Sequence, residues 1–259
     1  RSTLFPYTTL FRSVKFWFLG DCYTELESAA ALGYPEERAT IFPWGIDPKR
    51  FSPGPSAVRG GIAPPEDFLM LSLRSLEPNY RVDTTIHAFL KAGAEDATIH
   101  LMILADGSER PALKALAETA PADVRRRIHW LGRKPYDELV DYYRAADLYL
   151  SSSITDGSSV SLLEAMGCGL PVLVSDIPGN LEWVDDGKSG FLFPTGDSDA
   201  MAERMLFLSR RRTTLRPIGA SARLRIESEA DWSRNIRKIT DAYASAIRHA
   251  AGLSEGNAG

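Results

Sequence analysis

Cysteine is nearly absent from this chain: Cys22 and Cys168 are the only two, far apart and without the spacing of metal ligands. That excludes a disulfide framework and a cysteine-built zinc site, and two free thiols point to a reducing compartment, the cytoplasm. No apolar run reaches the roughly 18 residues needed for a membrane-spanning helix. Excess positive charge is missing too. Asp and Glu total 34 against 30 Lys and Arg, a net −4, which argues against a nucleic-acid partner because a phosphate backbone demands a basic face. The one local exception, Arg210, Arg211 and Arg212 with Arg216, reads as a solvated helix end whose cations oppose the helix dipole. Also absent is a Gly-x-Gly-x-x-Gly turn after the first strand of the main α/β unit. The run there is Leu73-Arg74-Ser75-Leu76, which speaks against a nicotinamide-dependent oxidoreductase.

What is present has room for one large domain or one and a half smaller ones, since the chain has 259 residues. It opens on Arg1 rather than Met. RSTLFPYTTLFRS, residues 1–13, has neither a helical stripe nor clean alternation and looks like translated sequencing-library adapter, so it is set apart from the fold as a fusion scar would be. Residues 14–20 then read as a strand, 22–32 as a short helix and 40–47 as a brief strand broken by Pro43 and Gly45. Residues 48–66 are dense in proline and glycine and mark a linker.

Residues 67–215 alternate regularly. Strands are expected at 68–73, 99–105, 128–132, 148–151, 171–175 and 190–193, with helices at 82–92, 110–119, 136–145, 159–166 and 180–184 between them. Near-continuous apolar strands alternating with helices predict an α/β fold, a Rossmann-like parallel sheet with helices on both faces. Helices at 199–209, 219–230 and 232–250 follow, and the last of the 216–259 segment reads as a frayed tail.

In such a sheet a ligand lies beyond the carboxyl ends of the strands. The loops there contribute Arg74, the Asp106-Gly107 turn, Gly132 with Arg133 and Lys134, and Ser152 through Ser159. The richest of these runs is TDGSSVSLLEAMGCGLPVLVSDIPG, residues 155–179, with one carboxylate, Asp156, in a glycine-serine turn and a second, Glu164, further along the following helix. Each residue has a plainer reading by itself: Arg74 as a surface ion-pair partner, Asp106-Gly107 as a simple turn, Ser158 or Ser159 as a helix cap, Glu164 as a solvated helix residue. Their convergence on one edge favours a nucleotide-sugar site. Guanidinium groups and backbone amides at the start of a helix suit a diphosphate, and a carboxylate can accept from vicinal ribose hydroxyls.

The acid-Gly-x-x-x-x-Leu-Leu-Glu-Ala-Met-x-Cys-Gly-x-Pro-Val pattern over 156–172 resembles the donor-site signature of glycosyltransferase family 4, whose members are retaining enzymes with two Rossmann-like lobes, the GT-B fold. FPWGID, GRKPYDELVDYYRAADLYL and GKSGFLFPTGD extend the resemblance, which runs from about Val14 to Ala250. It implies that Asp156 and Glu164 are the acids of the active site, Glu164 on the nucleotide ribose and Asp156 on hydroxyls of the transferred sugar. It further places Arg74 on the diphosphate, Gly157, Ser158 and Ser159 in the turn touching sugar and phosphate, Arg133 near the base and Gly107 in the glycine turn after the second strand. Two positions depart from the pattern. Asp156 stands where a Glu is usual, and Tyr80 stands where a phosphate-binding Lys is usual, leaving Arg81 as the nearest substitute. The resemblance also implies that residues 14–47 are what remains of an acceptor-binding lobe, and that the helix from Trp232 packs back across the cleft. Transfer would then need no metal or cofactor. The isolated piece is expected to be inactive, with donor, acceptor and any peripheral membrane contact left open. A sugar-nucleotide epimerase or phosphorylase on the same fold, and a non-catalytic nucleotide-sugar-binding module, stay open as alternatives.

Overall fold

The computed structural model describes residues 17–251. The adapter-like stretch, the start of the strand expected at 14–20 and the tail lie outside the described residues. Two short parallel strands, β1 (Phe18–Gly20) and β2 (Ala39–Ile41), flank helix α1 (Tyr23–Ala31). The main unit is a six-stranded sheet in the order β5-β4-β3-β6-β7-β8. Its strands are β3 (Phe68–Ser72), β4 (Ile99–Ile103), β5 (Ile128–Trp130), β6 (Leu148–Ser151), β7 (Val172–Ser175) and β8 (Phe191–Phe193), and every neighbouring pair is parallel. The helices between and after them are α2 (Val82–Glu95), α3 (Arg110–Glu118), α4 (Ala122–Arg125), α5 (Leu139–Ala145), α6 (Val160–Gly167), α7 (Pro178–Leu181), α8 (Ser198–Ser209), α9 (Arg216–Glu229) and α10 (Trp232–Ala250).

Strand residues alternate between two cores. Phe68, Met70, Leu101, Ile103 and Leu150 pack with Ile86, Phe89, Met201 and Met205 on the face covered by α2 and α8. Leu69, Leu71, Met102, Tyr149 and Val174 pack with Tyr143, Leu162, Leu163, Met166, Ala222 and Ile226 on the face covered by α5, α6 and α9. All five residues of β3 are buried, which is why it reads as an unbroken apolar run rather than an alternating one.

Strands expected at 40–47, 99–105 and 128–132 end earlier than read, at Ile41, Ile103 and Trp130, the helix expected at 82–92 runs on to Glu95, and the shifted helix starts have local causes. Residues Tyr136–Glu138 form a 3-10 turn after Pro135, so α5 begins later than expected. Pro178 and Pro217, both free of an N–H to satisfy, open α7 and α9 earlier than expected. Helix α4, four residues long, has too little periodicity to be read.

Residues 48–66 do not span free space. Phe51 is fully buried, and the Arg59 guanidinium bonds the carbonyls of Ala145 and Asp67 and the carboxylate of Asp147. The end of α9 and the start of α10 clasp residues 44–46, just after β2. Trp232 donates its amide to Ile46 (3.0 Å), Ile46 donates to Ala230 (2.9 Å), and the Trp44 and Trp232 rings stack at 5.8 Å.

Helix α9 crosses the turn after α6 where a Cβ on Gly219 would run into the Gly169 carbonyl, whereas one on Gly60 would meet nothing. Gly219→Ala should therefore destabilise the fold by about 1–3 kcal/mol through overpacking. Gly60→Ala should stay within about 0.5 kcal/mol of wild type. Urea unfolding of both variants checks this, and equal midpoints would refute the close crossing.

Candidate donor site

The strand order reverses direction between β3 and β6, the first and fourth strands of the large sheet, so the crevice for a ligand opens past their carboxyl ends. Arg74 stands two residues beyond β3. Its Nη1 donates to Ser159 Oγ at 2.6 Å and to Ser161 Oγ at 3.1 Å, and its Nη2 pairs with Asp156 Oδ2 at 2.7 Å. The guanidinium also lies over the Tyr80 ring, 4.1 Å from its centroid. Arg74, Asp156, Ser159 and the turn between them are thus one assembly, built from the two loops that flank the reversal.

Ser159 precedes α6 but does not cap it, because its hydroxyl is engaged by Arg74. Ser158 is turned elsewhere, donating to the Asp21 carbonyl at 2.9 Å and accepting from Trp183 Nε1 at 3.3 Å. Among the described residues the N-cap gives the first amides of this eight-residue helix no side-chain acceptor, an arrangement suited to an anion. Gly157 has close neighbours on both sides of the turn: the Asp21 carboxylate at its own Cβ position, and its own carbonyl against Gly179.

Glu164 is buried, 2% exposed, about 7 Å along α6 from Ser159. The Tyr143 hydroxyl donates to Glu164 Oε2 at 2.7 Å, while Oε1 is buried with no hydrogen-bond partner among the described residues. Arg74 Nε shares that condition. Unpaired buried polar atoms are rare enough that each asks for a reason, and a hydrogen-bond donor brought to Glu164 or an acceptor brought to Arg74 would supply one.

Both carboxyls are pushed above the ordinary carboxylate range, in each case by burial first. For Asp156 the Arg74 charge pulls back and Asp21 pushes further up. For Glu164 the Tyr143 hydrogen bond pulls back first, followed by the nearby Tyr136 hydroxyl and the Arg50 charge. Burial, then Glu164, raises the Tyr143 phenol well above its usual value, and the Tyr136 phenol up to about 12. The thiols are inert by the same physics: burial pushes Cys22 up to about 11 and Cys168 up to about 12.

Three expected site residues are not drawn into the Arg74 assembly. Arg81, at a left-handed φ of 44°, turns its guanidinium onto Asp83, with Nε to Oδ1 at 2.9 Å and Nη2 to Oδ2 at 3.0 Å. Gly107 is where two loops touch: a Cβ there would strike the Leu76 carbonyl, and the neighbouring Ser108 donates both amide and hydroxyl to Glu77. Arg133 is exposed and only adds to two carboxylates held low by other groups first, Glu77 by hydrogen bonds from Ser108 and Asp106 by the Gly107 amide. Conversely, Tyr143 bonds Glu164, Ser161 accepts from Arg74 and Asp21 lies against the Gly157 turn, and none of the three stands out by itself in the sequence. Tyr143 carried a signal, since it lies in the same resembling run as the strand that follows it.

The fold defines a class, the Rossmann-like lobe found in GT-B glycosyltransferases. Residues 59–225 match the family described as Glycosyl transferases group 1, and the chain belongs to that family. It is 29% identical over 217 residues to the amylovoran biosynthesis glycosyltransferase AmsK of Erwinia amylovora, covering 82% of this chain and 52% of that protein. It is likewise 29% identical over 226 residues to a D-inositol 3-phosphate glycosyltransferase of Streptomyces bingchenggensis, covering 83% and 49%. The chain thus spans about half the length of the curated relatives it matches. Among solved structures, Anabaena HepE in complex with UDP superposes with a TM-score of 0.78 at 20% identity, covering 88% of this chain and 64% of that one. A glycosyltransferase from Rickettsia africae superposes at 0.82 with 15% identity, covering 93% and 67%. No helix among the described residues is long and apolar enough to cross a membrane.

The Tyr143–Glu164 pair gives a signed stability test. A carboxyl whose folded pKa lies above its unfolded value binds protons more readily when folded, so the stability it removes is absent below the unfolded value and complete above the folded one. Tyr143→Phe takes away a donor and drives the Glu164 carboxyl further up. It should cost about 1–3 kcal/mol at pH 8 and less at about pH 3.5, below the usual glutamate value, where Glu164 is protonated in both states. Urea unfolding at the two pH values measures this; a cost that does not change with pH would argue against the assignment.

Proposed function

We propose that the chain is the donor-binding part of a glycosyltransferase that moves a sugar from a nucleotide-diphosphate sugar to an acceptor with retention of configuration. The observation carrying this reading is the half-neutralised Arg74 at the open start of α6, with the buried, half-satisfied Glu164 further along the same helix. As the bond from sugar to diphosphate breaks, negative charge grows on the leaving phosphate. Arg74 and the α6 amides are fixed in advance to receive it, without a metal ion being required. Glu164 Oε1 then accepts from ribose, and Asp156 from the transferred sugar. Similar structures support the ligand class: HepE was solved with UDP and with UDP-glucose.

In this reading Asp156 and the diphosphate compete for one guanidinium. Binding exchanges the Arg74–Asp156 contact for an Arg74–phosphate contact, and the carboxylate is released toward the sugar.

Isothermal titration calorimetry against uridine, guanosine and adenosine diphosphates and their sugar conjugates tests the reading. Arg74→Ala should weaken the preferred nucleoside diphosphate by ~10–100-fold and leave the nucleoside unchanged. Glu164→Ala should weaken nucleoside and diphosphate alike. Asp156→Ala should leave the diphosphate as tight or tighter and weaken only the sugar conjugate, and equal losses of both ligands would sink its role. The chain alone should bind donor without turning it over.

A further inference from the structure

A second carboxylate reaches the same turn from a distant part of the chain. Asp21 lies between β1 and α1, and its carbonyl accepts the Ser158 hydroxyl at 2.9 Å, which holds it against the turn. Its Oδ1 stands 2.6 Å, and its Oδ2 3.2 Å, from the point that a Cβ on Gly157 would occupy. Only a glycine at 157 admits the carboxylate so close. Oδ1 is buried and has no hydrogen-bond partner among the described residues. Local capping does not account for it, since the Asp21 amide is itself satisfied by Glu25 Oε2 at 3.1 Å.

The negative charge of Asp21 is felt at Asp156, where it acts against Arg74. Two like charges crowded at one turn are unfavourable unless something donates hydrogen bonds to both. A cavity of about 560 Å³ opens beside the turn, lined by Cys22, Glu25, Thr155, Asp156 and Gly157 among others, and Asp21 adjoins that lining at Cys22 and Gly157. A sugar is suited to that place. It is uncharged, fits the space and offers several O–H donors to carboxylates that can only accept.

We propose that Asp21 is a second sugar-binding carboxylate, accepting a hydroxyl of the transferred sugar alongside Asp156. The assignment rests on the donor-site reading above and extends it to a residue outside the large sheet. It makes residue 21 a determinant of which sugar is accepted.

The test is calorimetry on the whole chain with UDP, UDP-glucose and UDP-N-acetylglucosamine, and with GDP and GDP-mannose, for wild type, Asp21→Asn and Asp21→Ala. Asp21→Asn keeps the backbone carbonyl that Ser158 uses and a similar shape, and Asp21→Ala removes the acceptor oxygens outright. Thermal midpoints within a few degrees of wild type qualify either variant for comparison. The expected result is a nucleoside diphosphate affinity unchanged within about twofold and a sugar conjugate weakened about tenfold or more. A sugar conjugate that binds as in wild type, or one that weakens in step with its diphosphate, overturns the proposal while leaving the donor site intact. Absence of binding by any nucleotide to wild type overturns the donor-site reading and this assignment together.

A second readout separates recognition from mere support of the turn. The charged groups facing Asp156 are Arg74 and Asp21, with Ser159 and the Gly157 amide as hydrogen-bond donors. The sugar increment should fade as pH falls through the raised pKa of Asp156. Removing the Asp21 charge lowers that pKa, so in Asp21→Asn the fading should move to lower pH. A variant whose remaining increment fades at the wild-type pH would contradict the electrostatic contact.

Discussion

A guanidinium placed at the end of a buried strand sets the terms for everything around it. The Arg74 side chain is only 11% exposed, and a charge taken that far from water persists only where partners offset the lost hydration. The partners come from both sides of the seam between β3 and β6: Tyr80 from the loop that Arg74 itself occupies, and Asp156, Ser159 and Ser161 from the loop and helix after β6. Had the chain placed another strand between these two, the loops would not meet. The pairing of Met70 with Leu148 is thus as much a part of the site as Arg74 itself. Tyr149 adds a support from below, its hydroxyl 2.7 Å from Ser161 Oγ.

The same turn is also tied to the segment outside the large sheet. Ser158 holds the Asp21 carbonyl, and Glu182, after α7, accepts the Tyr23 amide at 2.9 Å and the Thr24 amide at 3.4 Å at the start of α1. A carboxylate at a helix N-terminus complements its dipole, so Glu182 caps α1 from across the interface. The other side of the segment is clasped by the stacked Trp44 and Trp232 and by Asn235, whose amide donates to the Pro43 carbonyl at 3.0 Å. Any displacement of residues 17–47 against the sheet is therefore transmitted to the Asp156–Gly157 turn by direct bonds.

Much of this was legible before the structure, and what was not has definite causes. The runs FLMLS and IHLMI are buried throughout, and such strands announce a covered parallel sheet whatever their neighbours. The meeting of Arg74 with Asp156 and Ser159 followed from reading only the loops past the strand ends. Arg81 was judged by charge and position alone. Its direction is set by a left-handed backbone and by Asp83 two residues on, a local competition that a motif does not display. Gly107 was read as a ligand turn, whereas the chain also needs it small so that two loops can touch. Tyr143 depends on helix register, and Asp21 lies 137 residues from its partner Ser158, a separation that no local pattern encodes.

Asp156 and Glu164 look alike as buried acids with raised pKa values, yet their surroundings fit them for different ligand groups. Asp156 is already matched by a cation, so its negative charge is answered and the contact can be exchanged for one with another anion. Glu164 is matched by neutral phenols, with one oxygen satisfied by Tyr143 and the other unpaired. An anion brought to Glu164 would meet a buried carboxylate that no cation contacts directly, a costly juxtaposition. A neutral O–H donor would instead complete its hydrogen bonding. The two ends of α6 thus favour opposite ligand features, anionic at Arg74 and hydroxyl-bearing at Glu164. A molecule with a phosphate at one end and vicinal hydroxyls at the other can lie there in only one direction.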